Sequence, residues 1–176
     1  VSDGVSSKSM QRTGENAMSK MRRKDREIGD PEKINEMIRA CHCCRLGFQD
    51  GEDVYIVPLN FGFEERDGKR IFYFHGALEG RKIDLIRSKG RAGFELDRGF
   101  ELKAGETACQ YSASFQSVVG WGRGSMIEEA EERRHALRQL MSHYTGKENW
   151  EFPEPMMDRM GIFKLEVEEI CCKEHE

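Results

Sequence analysis

Val54-Tyr55-Ile56-Val57-Pro58-Leu59-Asn60-Phe61-Gly62-Phe63 is the passage that decides the fold. β-Branched and aromatic side chains crowd into it, and such residues suit a pleated, half-buried surface. Pro58 has no backbone donor, so this strand either lies at a sheet edge or breaks its ladder there. Before it, Cys44-Arg45-Leu46-Gly47-Phe48 reads as a second strand, with Asp50-Gly51 as a turn between the two. After it, Arg66-Asp67-Gly68-Lys69 makes the next turn and Ile71-Phe72-Tyr73-Phe74-His75 the next strand.

Further out the pattern repeats with helices in the connections. Residues 91–97, 115–127 and 162–170 read as strands. In the second of these Gly120, Gly122 and Gly124 alternate, as where a strand bends sharply or passes close to another backbone. Asp30-Pro31-Glu32 has the order of an N-cap, a first-turn proline and an acid at the positive helix end. Ile34, Met37, Ile38 and Cys41 then share one face of a helix over residues 31–40. A helix over 81–88 has Ile83 and Ile86 on its inner face, with Leu85 beside them. The longest helix, over 128–144, turns Ala130, Leu137, Leu140, Met141 and Tyr144 inward, and Phe152-Pro153-Glu154-Pro155 opens a short one. Strands in runs, not in strict alternation with helices, argue against a Rossmann sheet. The expected fold is mainly β (α+β): a six-stranded antiparallel split β-barrel with peripheral helices.

The chain has 176 residues, a length suited to one closed core. A net charge of −4 argues against nucleic acid as a partner, because phosphate backbones demand a dense cationic surface. No apolar run approaches the roughly 20 residues of a membrane span. The first four residues include Ser, Asp and Gly and lack the order of a secretion signal. Three of the 6 cysteines crowd into one segment and two are adjacent, unlike a disulfide scaffold, so a reducing cytoplasm is the expected location. Residues 1–20 are polar and aperiodic; they read as a disordered tail or upstream extension, ahead of a domain over residues 21–173.

The segment Phe74-His75-Gly76-Ala77-Leu78-Glu79-Gly80-Arg81-Lys82-Ile83 carries the clearest chemistry. A strand delivers a glycine turn, and two cations occupy the first turn of a helix, where the dipole favours negative charge. A bound phosphate would resolve that conflict through free N–H groups and both side chains. Two solvated cations on a surface helix are the alternative.

Six pieces occur in order: residues 21–28 (Met-Arg-Arg-Lys-Asp-Arg-Glu-Ile), Cys44-Arg45-Leu46-Gly47, Val57-Pro58-Leu59-Asn60-Phe61-Gly62, Phe74-His75-Gly76 with Glu79-Gly80-Arg81-Lys82, residues 117–123 (Ser-Val-Val-Gly-Trp-Gly-Arg), and Tyr144-Thr145-Gly146. Together they resemble the nitroimidazole-resistance branch of the pyridoxamine-phosphate-oxidase-like superfamily. The resemblance implies a homodimer with FMN at the subunit interface, FAD being possible because the phosphate turn serves both. It implies that Val57, Pro58, Leu59 and Asn60 run beside the flavin ring, that His75 and Gly76 lie near the ribityl chain, and that Gly80, Arg81 and Lys82 hold the phosphate. Ser117, with Gln116 beside it, would approach the flavin from a neighbouring strand, and Trp150 would stand against the ring, often from the partner subunit. His75 would be the candidate catalytic residue, donating a proton to a reduced substrate, or else it only packs on the ribityl chain. The C-terminal stretch, residues 166–176, lacks the arginine-rich substrate segment of the vitamin B6 oxidases. The expected function is therefore an oxidoreductase reducing a small organic acceptor such as a nitroaromatic or quinone. The alternative is a non-catalytic flavin- or haem-binding module, with His42 or His75 as a haem ligand.

The remaining candidates read as structural. Cys41 and Cys44 have zinc-ligand spacing, but the distant Cys171-Cys172 pair is adjacent and Cys44 falls at a core strand position, so no metal is expected. His135 and His143 share a face of the long helix, which reads as solvated. Met156, Met157 and Met160 read as filler, and the polar stretch 103–114 as a pocket wall or lid.

Overall fold

A computed structural model of the chain describes residues 21–176. The tail expected over residues 1–20 lies outside the described residues. The elements are β1 (Glu27–Ile28), α1 (Pro31–Arg39), β2 (Cys44–Asp50), β3 (Asp53–Leu59), β4 (Gly62–Arg66), β5 (Lys69–Ala77), α2 (Arg81–Lys89), β6 (Ala92–Lys103), β7 (Ser112–Met126), α3 (Ala130–Thr145), α4 (Glu154–Met157) and β8 (Met160–His175). All strands pair antiparallel in one sheet of order β3-β2-β6-β7-β8-β5-β4, with β1 added to the far end of β8.

The sheet has eight strands where six were expected, for two local reasons. The long run from Val54 to Phe63 divides at Asn60–Phe61 into β3 and β4, and the short β1 joins Lys173 and Cys172. Pro58 sits within β3, at one end of the strand order, paired on a single side with Arg45. A proline is tolerated there because its missing donor faces no ladder.

The sheet curls around an aromatic core. Phe72 on β5 meets Phe94 on β6 with ring centroids 5.1 Å apart, although two strands separate β5 from β6 in the sheet. It also touches Phe61 at 5.6 Å and Phe63 at 5.5 Å. Such contacts across the interior need a half-closed barrel, and each buried aromatic contributes roughly 1.5–3 kcal/mol. On β5, Ile71, Phe72, Tyr73 and Phe74 are all buried. Phe72 and Phe74 enter this core, whereas Ile71 and Tyr73 enter a second cluster with Ala136, Leu137 and Met157. Burial on both faces is why this strand lacks polar alternation.

The helices seat where the sequence lets backbone come close. Asp30 caps α1 by accepting from the Glu32 amide at 2.9 Å. α2 buries Ile83 and Ile86, as its periodicity predicts, and Leu85 beside them as well. A Cβ on Gly124 would stand 2.5 Å from Ile86 Cδ1, so glycine there makes room for α2. A Cβ on Gly62 would stand 2.5 Å from the Leu140 backbone nitrogen, so α3 rests directly on β4.

α3 corrects two expectations. Its buried side is Ala136, Leu137 and Leu140, while Ala130 is exposed and Met141 and Tyr144 are half-buried. The face of His135 and His143 is not solvated but docks on the sheet. His135 Nε2 lies 2.9 Å from Glu64 Oε2, and Glu64 also accepts from the Tyr73 hydroxyl at 2.5 Å. His143 Nε2 lies 2.8 Å from the Cys41 carbonyl, so that nitrogen carries the hydrogen, and its ring packs on Phe61. Burial, outweighing the Cys41 hydrogen bond, lowers the His143 pKa, with the nearby His42 adding to the effect. Of the methionines read as filler, Met157 is buried, Met160 is half-buried in the second cluster and Met156 is exposed. Among the described residues no helix is long and apolar enough to cross a membrane.

Two outcomes follow. Gly62→Ala should lose about 1–3 kcal/mol in urea denaturation, since helix backbone cannot yield as a side chain can, whereas Gly29→Ala, with open space around it, should be near neutral; equal effects would contradict the close seating of α3. For His143, a folded pKa below the unfolded value of about 6.5 means that the unfolded chain binds the proton first. Its contribution is intact above that pH and declines as pH falls from about 6.5 toward the folded pKa. His143→Gln should therefore flatten the stability profile as pH falls below about 6.5, and an unchanged slope would refute the buried neutral ring.

Candidate functional site

β5 ends by delivering His75, Gly76 and Ala77 to the turn that starts α2. Gly80 makes that turn at φ +122°, a conformation side chains resist. Its carbonyl accepts from the amides of Ile83 and Asp84. No side chain caps this helix, whereas Asp30 caps α1 and Glu129 caps α3. The amides of Arg81 and Lys82 are thus left at a positive terminus open to an anion.

Both predicted cations are in place. The Lys82 side chain folds across Gly76, where a Cβ would stand 2.6 Å from its Cε and 2.8 Å from its Nζ. Only glycine leaves that groove open. Among the described residues Lys82 has no carboxylate within ion-pair range. Arg81 forms a two-pronged ion pair with Asp50 at the end of β2. His75 is exposed on the surface, yet the bulk around its ring and then the Lys82 charge lower its pKa. An uncapped helix end, two cations and a glycine groove are the donor set that a terminal phosphate requires, so these residues fit the phosphate end of a flavin.

The other predicted residues divide. On β3, Val57 and Leu59 are half-buried against the core while Pro58 and Asn60 alternate outward and are exposed. The break after Asn60 is pinned by Tyr144, whose hydroxyl accepts from the Phe61 amide at 3.1 Å and donates to the His42 carbonyl at 2.8 Å. Ser117 and Gln116, as neighbours on β7, point to opposite faces. Gln116 is held by Glu174 at 2.5 Å, which also pairs with Lys33 of α1, so Ser117 alone shares the outer face with Val119 and Trp121. Trp150 stands apart from the phosphate turn within one chain. Its Nε1 donates to the Lys147 carbonyl at 3.0 Å, and it lines a cavity of about 610 Å³ with His135, Arg138 and Ser142.

The expected lid over residues 103–114 is mostly hairpin. β6 runs on to Lys103 and β7 starts at Ser112, leaving residues 104–111 as the connection, tightened by a Thr107–Gln110 capping box. The cysteines take structural places: Cys41, Cys44 and Cys172 are buried in the core, and burial raises all three thiol pKa values. Among the described residues no group of three or more His, Cys, Asp or Glu is arranged to hold a metal. Sequence reasoning missed Asp50, taken only as a turn residue, and the clamp by Tyr144, taken only as a buried side chain.

The outer face of the sheet exposes two apolar pairs, on either side of the Arg45–Glu95 and Arg45–Asp97 ion pairs. Val54 and Ile56 on β3 are 70% and 63% exposed, and Phe100 and Leu102 on β6 are 73% and 61% exposed. By strand alternation they lie with Val119 and Trp121 on the side away from the core.

Comparison with known proteins identifies the family. The family model for pyridoxamine 5'-phosphate oxidase matches residues 30–173. A structure from Bacteroides thetaiotaomicron, of a protein assigned to 5-nitroimidazole antibiotic resistance, is 31% identical over 84% of this chain and 85% of that chain, with a TM-score of 0.72. A flavocytochrome from Azotobacter vinelandii superposes with a TM-score of 0.74 at 18% identity, over 89% of this chain and 72% of that one. An FAD and haem binding protein from Mycobacterium smegmatis gives 0.74 at 13% identity, over 86% and 74%. These last two share the fold. No curated protein is matched. With nearly the whole described chain covered by the family model, this protein belongs to the pyridoxamine 5'-phosphate oxidase family.

Proposed function

We propose that the chain is a flavoprotein that holds FMN between two identical subunits and reduces a small organic acceptor, such as a nitroaromatic or quinone, in the cytoplasm. The observation that carries this reading is the groove at Gly76, kept open for the Lys82 side chain beside the uncapped start of α2. Family membership and the likeness to the nitroimidazole-resistance protein support the choice of cofactor and acceptor.

The residues divide the work. Lys82, Arg81 and the first amides of α2 hold the phosphate. Pro58 and Asn60, presented outward by β3 and fixed in place by Tyr144, run along the ring. His75, neutral at pH 7 because its pKa is lowered, offers a hydrogen bond to the ribityl chain rather than a proton to the substrate. The flavin, when bound, supplies the electron-transfer chemistry.

The second subunit is assigned to the outer face. Val54 and Ile56 on β3 and Phe100 and Leu102 on β6 are exposed apolar side chains on either side of the Arg45–Glu95 and Arg45–Asp97 ion pairs, and a twofold dimer covers the same surface on both copies. The six thiols belong to a reducing compartment, those among the described residues being unpaired.

Two measurements test these assignments. The purified protein should show flavin bands in the blue and near ultraviolet, and Lys82→Ala should weaken FMN binding about tenfold while leaving riboflavin unaffected, the loss expected for one hydrogen bond to a charged group. A protein that stays colourless with FMN, or an equal loss for riboflavin, would refute the phosphate site. Ile56→Glu should keep the monomer fold, since the side chain is exposed, yet convert a dimer into a monomer in light scattering; a monomeric wild type or an intact mutant dimer would remove the outer face as the interface.

A further inference from the structure

Asp50 ends β2 and meets Arg81 at the start of α2. Its side chain is 19% exposed, that of Arg81 57%. Nε and Nη2 of Arg81 donate to the two carboxylate oxygens. This fork is also the geometry in which a guanidinium grips a phosphate. One of the two cations of the turn is therefore already occupied, while Lys82 is not.

Carboxylate and phosphate oxygens compete for the same guanidinium edge, and both cannot stay without two anions in contact. A phosphate monoester carries more charge than a carboxylate at neutral pH, which favours exchange. The pair also relieves the cationic turn when no ligand is present: Arg81 and Lys82 would otherwise stand together at the positive end of α2.

We infer that Asp50 is a resident counter-anion, which holds Arg81 in the free protein and yields it to the ligand's terminal phosphate. Binding exchanges one ion pair for another, and Asp50 lowers the preference for phosphorylated over unphosphorylated flavin. This rests on the flavin reading above and concerns how tightly the phosphate is held.

Flavin fluorescence quenching tests it in the full chain, with FMN and riboflavin as probes. The proteins are wild type, Asp50→Asn, Arg81→Ala and the double variant, with thermal melting to establish that each is folded. Asp50→Asn should bind FMN roughly two- to fivefold more tightly, the worth of an exposed ion pair, with riboflavin unchanged. The gain should vanish in the Arg81→Ala background, because the two residues act as one pair. Asp50→Ser serves if the Asn variant does not fold. Weaker FMN binding by Asp50→Asn would overturn the inference and make Asp50 an orienting residue that stays in place. A gain that persists without Arg81 would overturn it too. A wild type that quenches neither flavin defeats the flavin reading itself, a result distinct from wild-type binding with no Asp50 effect.

Discussion

The structure depends on how closely β7 and β8 approach each other. A Cβ on Gly120 would stand 2.2 Å from the Glu169 carbonyl oxygen, and one on Gly122 would stand 2.2 Å from that of Glu166. A register shift follows Trp121 at this place. Bare backbone on alternate residues lets the longest strand pair coil tightly, as glycines do at barrel corners. That coil brings Phe72 across to Phe94 and closes the core on one side. One turn further on, Gly124 leaves the space into which Ile86 settles, and this fixes where α2 lies.

The candidate site is a consequence of that placement. With α2 seated over β7, its first turn meets the end of β5 and the β2–β3 turn, so His75, Gly76, Arg81, Lys82 and Asp50 converge from three elements. The chemistry relies on backbone and charge more than on side-chain packing: an uncapped helix end, a groove at a glycine and cations whose partners differ. The opposite end of β3 is fixed independently, by Tyr144 and by α3 resting on Gly62. A ligand held at both ends would span the six residues of β3 from Asp53 to Pro58, or about 17 Å over five rises of a strand.

Local chemistry was legible in the sequence, and long-range pairing was not. The α1 cap, the inner face of α2, the edge position of β3 and the close approach at the alternating glycines all follow from residues within a few positions of one another. The extension of β6 was missed because Asp97-Arg98-Gly99 reads as a turn. Gly99, at φ +67°, instead makes a bulge through which pairing continues from Arg98 to Glu101. The charged residues after Ile170 hide the end of β8, yet Lys173 and Glu174 pair on β7 and the Glu174 side chain is held by Gln116 and Lys33. His135 and His143 were misplaced because a charge-rich helix hides a docking face whose acceptors, Glu64 and Cys41, are distant in sequence. The Arg81–Asp50 pair, 31 positions apart, has no local signature at all.

The central claim is that the start of α2 receives the phosphate of a flavin. A crystal structure of the protein loaded with FMN tests it most directly. The account predicts phosphorus density against the amides of Arg81 and Lys82, with the Lys82 Nζ in contact and the ring lying along β3. Flavin density in the cavity beside Trp150, with the α2 turn empty, would contradict it.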